Sequence, residues 1–179
     1  QENGRWSDLD RLGLPPDEWP PARYRRPLSP YGAARRGEPL VACQETRRYL
    51  ADVARRHPRF IVEGIGGVAV PLEPGRLWLD LHAEESWPAI VVARGGLGTI
   101  NHSLLTLEAL RRRAIAVLGI VFGCGPDDER SDAEENAAII AEFSGIEAMG
   151  IVDYDPGDPV TAWGRGVDWD RLEGLLGQR

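Results

Sequence analysis

Not one of the 179 residues is lysine; all 21 basic residues are arginine. Arginine stays protonated and offers no amine nucleophile. Schiff-base chemistry is therefore closed to this chain acting alone, as is any phosphate loop that relies on its own lysine. Cysteine is almost as scarce. Cys43 and Cys124 stand far apart, which fits neither a disulfide framework nor a metal cluster. No apolar run approaches the roughly 20 residues that span a bilayer. No basic-then-apolar leader opens the chain, so a cytoplasmic setting is expected and nothing points to secretion. A basic excess is missing too: 28 acidic residues face 21 basic ones, for a net charge of −7. That balance argues against a general nucleic-acid or anionic-membrane surface.

What is present is ordinary soluble composition, 42% hydrophobic and 27% charged, over a length sufficient for one α/β domain with a real core. We expect residues 1–179 to form a single domain, with an irregular, proline-rich opening segment over residues 1–40. Pro15, Pro16, Pro20, Pro21, Pro27 and Pro30 rule out a long helix there. Ser7–Leu12 holds at most one helical turn capped by Ser7, and Arg23–Pro30 reads as a surface loop. Cys43–Arg56 has helical spacing, with Thr46, Tyr49, Leu50 and Val53 on one face, and Pro58 ends it. Trp78, Leu81 and Glu85, three and four apart, favour a helix over Leu77–Glu85. Ala89–Ala93 is a continuous β-branched run, the pattern of a buried parallel strand. A helix follows over Ile100–Arg113, its apolar face given to Leu104, Leu105, Leu107 and Ala109. Then come a strand over Ala114–Phe122, an exposed acidic loop over Gly123–Asp132, and a helix over Ala133–Phe143 with Glu134 and Asn136 outward. Ile146–Val152 is a strand, Asp153–Asp158 a loop, and Trp169–Leu176 a last helix. The alternation predicts a parallel sheet wrapped by helices with right-handed crossovers.

Two stretches carry the candidate chemistry. Phe60–Leu72 opens as an apolar run, Phe60–Val62, that reads as a buried strand, and then sets Glu63 against Gly64, Gly66 and Gly67. Ligands of open α/β sheets sit beyond the carboxyl ends of strands. Glycines there let backbone approach a phosphate, and a carboxylate beside them suits Mg²⁺. A plain strand-end turn with a solvated glutamate has the same composition. Arg94–Thr99 is a second glycine-rich turn, feeding a helix whose free N–H groups and dipole suit an anion; a tight βα loop without a ligand also fits. The remaining polar residues read plainly: His102 on a helix surface or interface, His57 and His82 without a metal pattern, and Asp127, Asp128 and Glu129 in a solvated loop.

Taken together, three blocks resemble one family. Val62–Leu72 resembles the Val-Glu-Gly-Ala-Gly-Gly…Pro-Leu signature of dethiobiotin synthetases. Val91–Leu110 is similar to that family's Gly-Leu-Gly-Thr-Ile-Asn-His segment over its whole length, and Pro27–Arg35 to its Pro-Leu-Ser-Pro-His-x-Ala-Ala segment. The likeness covers about residues 20 to 155. It implies a doubly wound parallel sheet of the P-loop NTPase type, in a homodimer. It also implies an ATP- and Mg²⁺-dependent ring-closing ligase of biotin biosynthesis. Such an enzyme carboxylates 7,8-diaminopelargonic acid with CO₂ or bicarbonate, activates the carbamate with ATP, and closes the ureido ring of dethiobiotin. By position, the resemblance makes Glu63 a Mg²⁺ ligand and lays Gly64, Ile65 and Gly66 against the nucleotide phosphates. Thr99, Ile100 and Asn101 would open the helix that receives the substrate carboxylate across the dimer interface, with Ser29 on a loop nearby. Gly123, Val152, Asp153 and Tyr154 would sit on the nucleotide side, and Asp8 would match a second Mg²⁺ carboxylate.

The sequence also departs from that pattern. The family's opening strand, its Gly-Lys-Thr phosphate loop and the catalytic lysine of its second strand have no counterpart here, so no catalytic residue is assigned to this chain. With a start at Gln1 rather than Met, the expectation is a synthetase lacking its P-loop part and inactive without it. Gly123 stands where the family usually has Asn against adenine, and Asp153 where it has Pro. The alternative expectation is a binding or regulatory domain of the same fold that holds a nucleotide or an acid and catalyses nothing.

Overall fold

The computed structural model describes residues 13, 15, 18–21, 23, 24 and 26–176. Asp8 and the Ser7–Leu12 turn lie outside the described residues. The chain divides after Glu85 into two compact units.

In the first unit, the Ser29 hydroxyl accepts from the Gly32 amide at 3.1 Å and caps α1 (Pro30–Ala34), with Pro30 pre-set for the first helical position. The next helix, α2 (Cys43–Arg56), covers the expected residues. Cys43 and Leu50 are its buried positions, with Thr46, Tyr49 and Val53 half-buried beside them. An antiparallel hairpin follows, β1 (Pro71–Glu73) and β2 (Arg76–Leu77), turned at Pro74-Gly75 with Gly75 at φ +74°. Asp80 accepts from the Leu77 amide at 2.9 Å and starts α3 (Trp78–Glu85). Cys43, Leu72 and Leu81 close the core, and Trp78 packs against them. Arg47 pairs with Glu84 at 3.1 Å and Glu85 at 2.6 Å, tying α2 to α3; these half-exposed pairs contribute under about 1 kcal/mol each.

Phe60–Val62 does not form the expected strand. Residues 60–64 have no regular secondary structure, and Ile61 is 96% exposed. A parallel strand must be covered on both faces, and three apolar residues flanked by Arg59 and Glu63 do not secure that.

The second unit is a three-stranded parallel sheet in the order β3 (Ala89–Arg94), β4 (Val117–Gly123), β5 (Ala148–Val152). Between the strands run α4 (Thr99–Arg112) and α5 (Arg130–Ser144). Both pack on one face, where Leu107, Ala137 and Ile140 meet Ile120 and Phe122. The other face carries α6 (Pro159–Gly166) and α7 (Trp169–Leu176), whose Ala162, Leu172 and Leu175 pack against Val121, Met149 and Val152. Helices on both faces make this the doubly wound α/β arrangement that the alternation predicts.

Several boundaries shift for local reasons. Ala114, at φ +54°, still belongs to the turn after α4, so β4 starts at Val117. Gly145, at φ +72°, closes α5, and β5 begins only at Ala148. Leu105 is 58% exposed, so it leaves the apolar face of α4, which passes through Ser103, Leu107 and Leu110 instead. The unforeseen α6 begins at Asp158, whose carboxylate accepts from the Thr161 amide ahead of Pro159. Behind α6 the backbone lies directly on the sheet. A Cβ built on Gly150 would overlap the Gly166 carbonyl oxygen and lie 2.8 Å from Val167 Cα.

Candidate active site

The loop carrying Glu63 is stitched to the start of α3. The Trp78 amide donates to the Val70 carbonyl at 2.8 Å, and the Leu79 amide to that of Val68 at 3.0 Å. The Trp78 indole lies across Gly64, where a Cβ would come within 2.7 Å of Nε1. Gly66, at φ +73°, takes the left-handed conformation that glycine adopts without strain. Ile65 is 45% exposed, and the exposed Glu63 makes no hydrogen bond or ion pair among the described residues. A lone carboxylate with free lone pairs fits Mg²⁺, which keeps most of its shell as water and substrate phosphate and takes one or two protein carboxylates. Among the described residues no three His, Cys, Asp or Glu side chains cluster around a common point, so Glu63 would supply one ligand of such a shell.

In the second unit the carboxyl ends of the three strands lie side by side. The Gly95 amide donates to the Gly123 carbonyl at 2.9 Å, and the Cys124 amide to that of Val152 at 2.9 Å. Thr99, Ile100, Asn101, Gly123, Val152, Asp153 and Tyr154 thus share one edge of the sheet. Glu63, Gly64, Ile65, Gly66 and Ser29 belong to the first unit, where the Ser29 hydroxyl is engaged in its cap.

At that edge α4 begins without a side-chain cap, after Gly98 at φ +91°. Thr99 is buried, and its amide donates to the Gly96 carbonyl at 3.2 Å. The amides of Ile100 and Asn101 make no hydrogen bond to the chain among the described residues. With no acidic side chain in the first turn, these two donors and the helix dipole present a positive end.

The other strand ends are polar. Asp153 pairs with Arg130 at 2.8 Å; that carboxylate and Glu134 hold the guanidinium protonated beyond its usual range. Burial pushes the Cys124 thiol's pKa up, and the Asp153 and Asp128 carboxylates add to the shift. Tyr154 is 52% exposed. Trp163 of α6 stands beside Gly123, its ring 3.7 Å from where a Cβ would be.

Two expectations for neighbouring residues fail. Asp128 is not merely solvated: its carboxylate accepts from the Gly125 amide at 2.8 Å and packs against Gly96. Asn136 does not face outward. Its Nδ2 donates to the Gly95 carbonyl at 2.9 Å. The signal was present in the sequence, because Asn136 falls between Ala133 and Ile140 on the buried stripe of α5.

A doubly wound parallel sheet with glycine turns at its strand ends is the nucleotide-binding α/β domain of the P-loop NTPase class, and a family model described as an AAA domain matches residues 8–157. The ATP-dependent dethiobiotin synthetase of Anaeromyxobacter dehalogenans is 39% identical over 160 residues, covering 86% of this chain and 71% of the relative. The enzyme of that name from Rhizorhabdus wittichii is 40% identical over 157 residues, covering 83% and 68%. That from Bacillus velezensis is 34% identical over 144 residues, covering 80% and 62%. The chain belongs to the dethiobiotin synthetase family.

Proposed function

We propose that this chain is the acid-binding and metal-binding part of an ATP-dependent ring-closing ligase that makes dethiobiotin from 7,8-diaminopelargonic acid and CO₂. The observation that carries the reading is the Gly95–Asn101 turn, whose open Ile100 and Asn101 amides suit a carboxylate. The relatives' names support an ATP-dependent synthesis of dethiobiotin, and the substrates and steps are those the resemblance implies. In that reaction one amine of the substrate takes up CO₂ as a carbamate, ATP activates the carbamate oxygen by phosphorylation, and the second amine closes the ring as phosphate leaves. The second unit would orient the acid through Thr99, Ile100 and Asn101 and offer Gly123 and Val152–Tyr154 to the nucleotide; the first unit, taken by itself, would offer Gly64, Ile65 and Gly66 to phosphate. Mg²⁺, when bound through Glu63, would screen the phosphate charge. Asp8 as a second carboxylate, a cytoplasmic setting and a homodimer that shares the acid site across its interface belong to the same proposal.

The resemblance places a lysine of the phosphate loop beside Mg²⁺ at the transferred group, and these residues include no lysine. Turnover on this reading requires a lysine-bearing phosphate loop joined to the chain. The test measures ADP release with diaminopelargonate and bicarbonate, for the chain alone and joined to a relative's phosphate-loop segment. ADP release by the joined protein alone supports the ligase; silence in both overturns it. Glu63→Gln in the joined protein should lower Mg²⁺-dependent turnover by orders of magnitude, and unchanged turnover removes Glu63 from the site. The absent lysine and Gly123 favour a second reading, a binding domain without catalysis. Binding of diaminopelargonate and ATP by a joined protein that releases no ADP would establish it.

A further inference from the structure

We propose that Asn136 of α5 is a positioning residue that holds the acid-receiving turn before α4 in its donor-presenting form, an inference that rests on reading Thr99–Asn101 as the acid-binding element. The turn joins β3 to α4, yet it is braced from the β4–α5 segment. Asn136 donates to the Gly95 carbonyl at 2.9 Å, while the Gly95 amide donates to the Gly123 carbonyl at 2.9 Å, so both polar groups of Gly95 are engaged away from the edge. A side chain at Gly95 would be tightly held: a Cβ would lie 3.1 Å from Cys124 Sγ and 3.2 Å from Ala133 Cβ. Asp128 packs against the next residue, Gly96. The Gly96 carbonyl then accepts from Thr99, leaving the Ile100 and Asn101 amides open.

The chemistry gives Asn136 a reason to be an amide. A site for a carboxylate must present donors and turn its acceptors elsewhere, because a carbonyl oxygen facing the ligand repels it. Asn136 takes the Gly95 carbonyl out of play and carries no charge of its own. Aspartate at this position has the same shape but would set a carboxylate against that carbonyl with nothing to donate.

The test uses the full chain, its Asn136→Ala and Asn136→Asp variants, and Ala138→Gly as a control that weakens α5 at an exposed position while keeping the Asn136 bond. One readout is hydrogen exchange of the Thr99 amide relative to the β4 amides; the other is diaminopelargonate affinity by calorimetry. Asn136→Ala should speed Thr99 exchange and weaken the affinity by about tenfold each, the scale of one hydrogen bond. Asn136→Asp should do at least as much, and Ala138→Gly should change neither relative to β4. Unchanged Thr99 exchange in Asn136→Ala, or equal effects from Ala138→Gly, overturns the proposal. If the unmodified chain binds no diaminopelargonate while Asn136→Ala still frees Thr99, the positioning stands and the acid-binding reading falls.

Discussion

The brace on the glycine turn makes a quantitative prediction through its second member. Gly96 is buried, and a Cβ there would overlap Asp128 Oδ1 and lie 2.8 Å from Cγ. Bonds at Gly95 fix the turn on one side, so in Gly96→Ala the carboxylate must move. Moving it breaks the 2.8 Å bond from the Gly125 amide. A hydrogen bond to an ionised acceptor contributes about 1.5–3 kcal/mol; Asp128 is half-buried and can turn toward water, so no charge is left stranded. Gly96→Ala should therefore cost about 2 kcal/mol. Asp128→Ala loses the same bond and should cost about the same. The double variant loses it only once, so its cost should stay near 2 kcal/mol instead of reaching about 4, a coupling of roughly 2 kcal/mol. Hydrogen exchange at Ile120 and Phe122, both essentially inaccessible in β4, reads the unfolding free energy of this unit. Additive costs, or a Gly96→Ala cost under about 0.5 kcal/mol, the scale of a plain surface change, would refute the clash.

Three further outcomes are expected. Gly150→Ala should destabilise far more than Gly119→Ala: the first methyl meets Gly166 and Val167 backbone, whereas the second meets the flexible Met149 side chain, and urea midpoints compare the two. The Cys43 thiol is pushed up to about 11 by burial and by the neighbouring Glu73 carboxylate, above an ordinary value near 9. The fold favours the neutral thiol, so this stabilisation is complete below pH 9 and disappears as pH rises through about 11. Alkaline melts should show that decline in the parent and not in Cys43→Ala. Finally, Ile90 and Val92 are 40% and 65% exposed on β3, which pairs only with β4 among the described residues. Sedimentation should show concentration-dependent association that Val92→Lys reduces; a monomer at every concentration counts against it.

Sequence periodicity was most reliable where a segment buries one stripe of its own. Cys43–Arg56 and Trp169–Leu176 appear with the bounds their spacing gives; β3 appears at its β-branched run, but with Ile90 and Val92 exposed instead of buried, because it stands at the edge of the described sheet. It misled where burial depends on neighbours. Phe60–Val62 has the composition of a strand without the cover of one. The Pro74-Gly75 hairpin carried a legible turn signal in strands too short for alternation to register. Helix α6 contains Gly164 and Gly166, both poor helix formers; Gly166 fits because its backbone packs on that of Ile151 and Val152, whereas Gly164 faces open space. At the candidate site, the glycines and the helix start were visible as motifs. The brace was not, because Asn136 and Gly95 meet only once β3 and β4 pair, although they lie 41 residues apart in the chain.

The sheet order β3–β4–β5 is also the order of synthesis. Each strand can dock on its predecessor as soon as the helix between them has left the ribosome, and no gap must be held open for a strand made later. Parallel pairing is ordinarily slow because it closes long loops. Here each closure spans a single helix, so this unit can acquire its nucleus on the nascent chain, strand by strand.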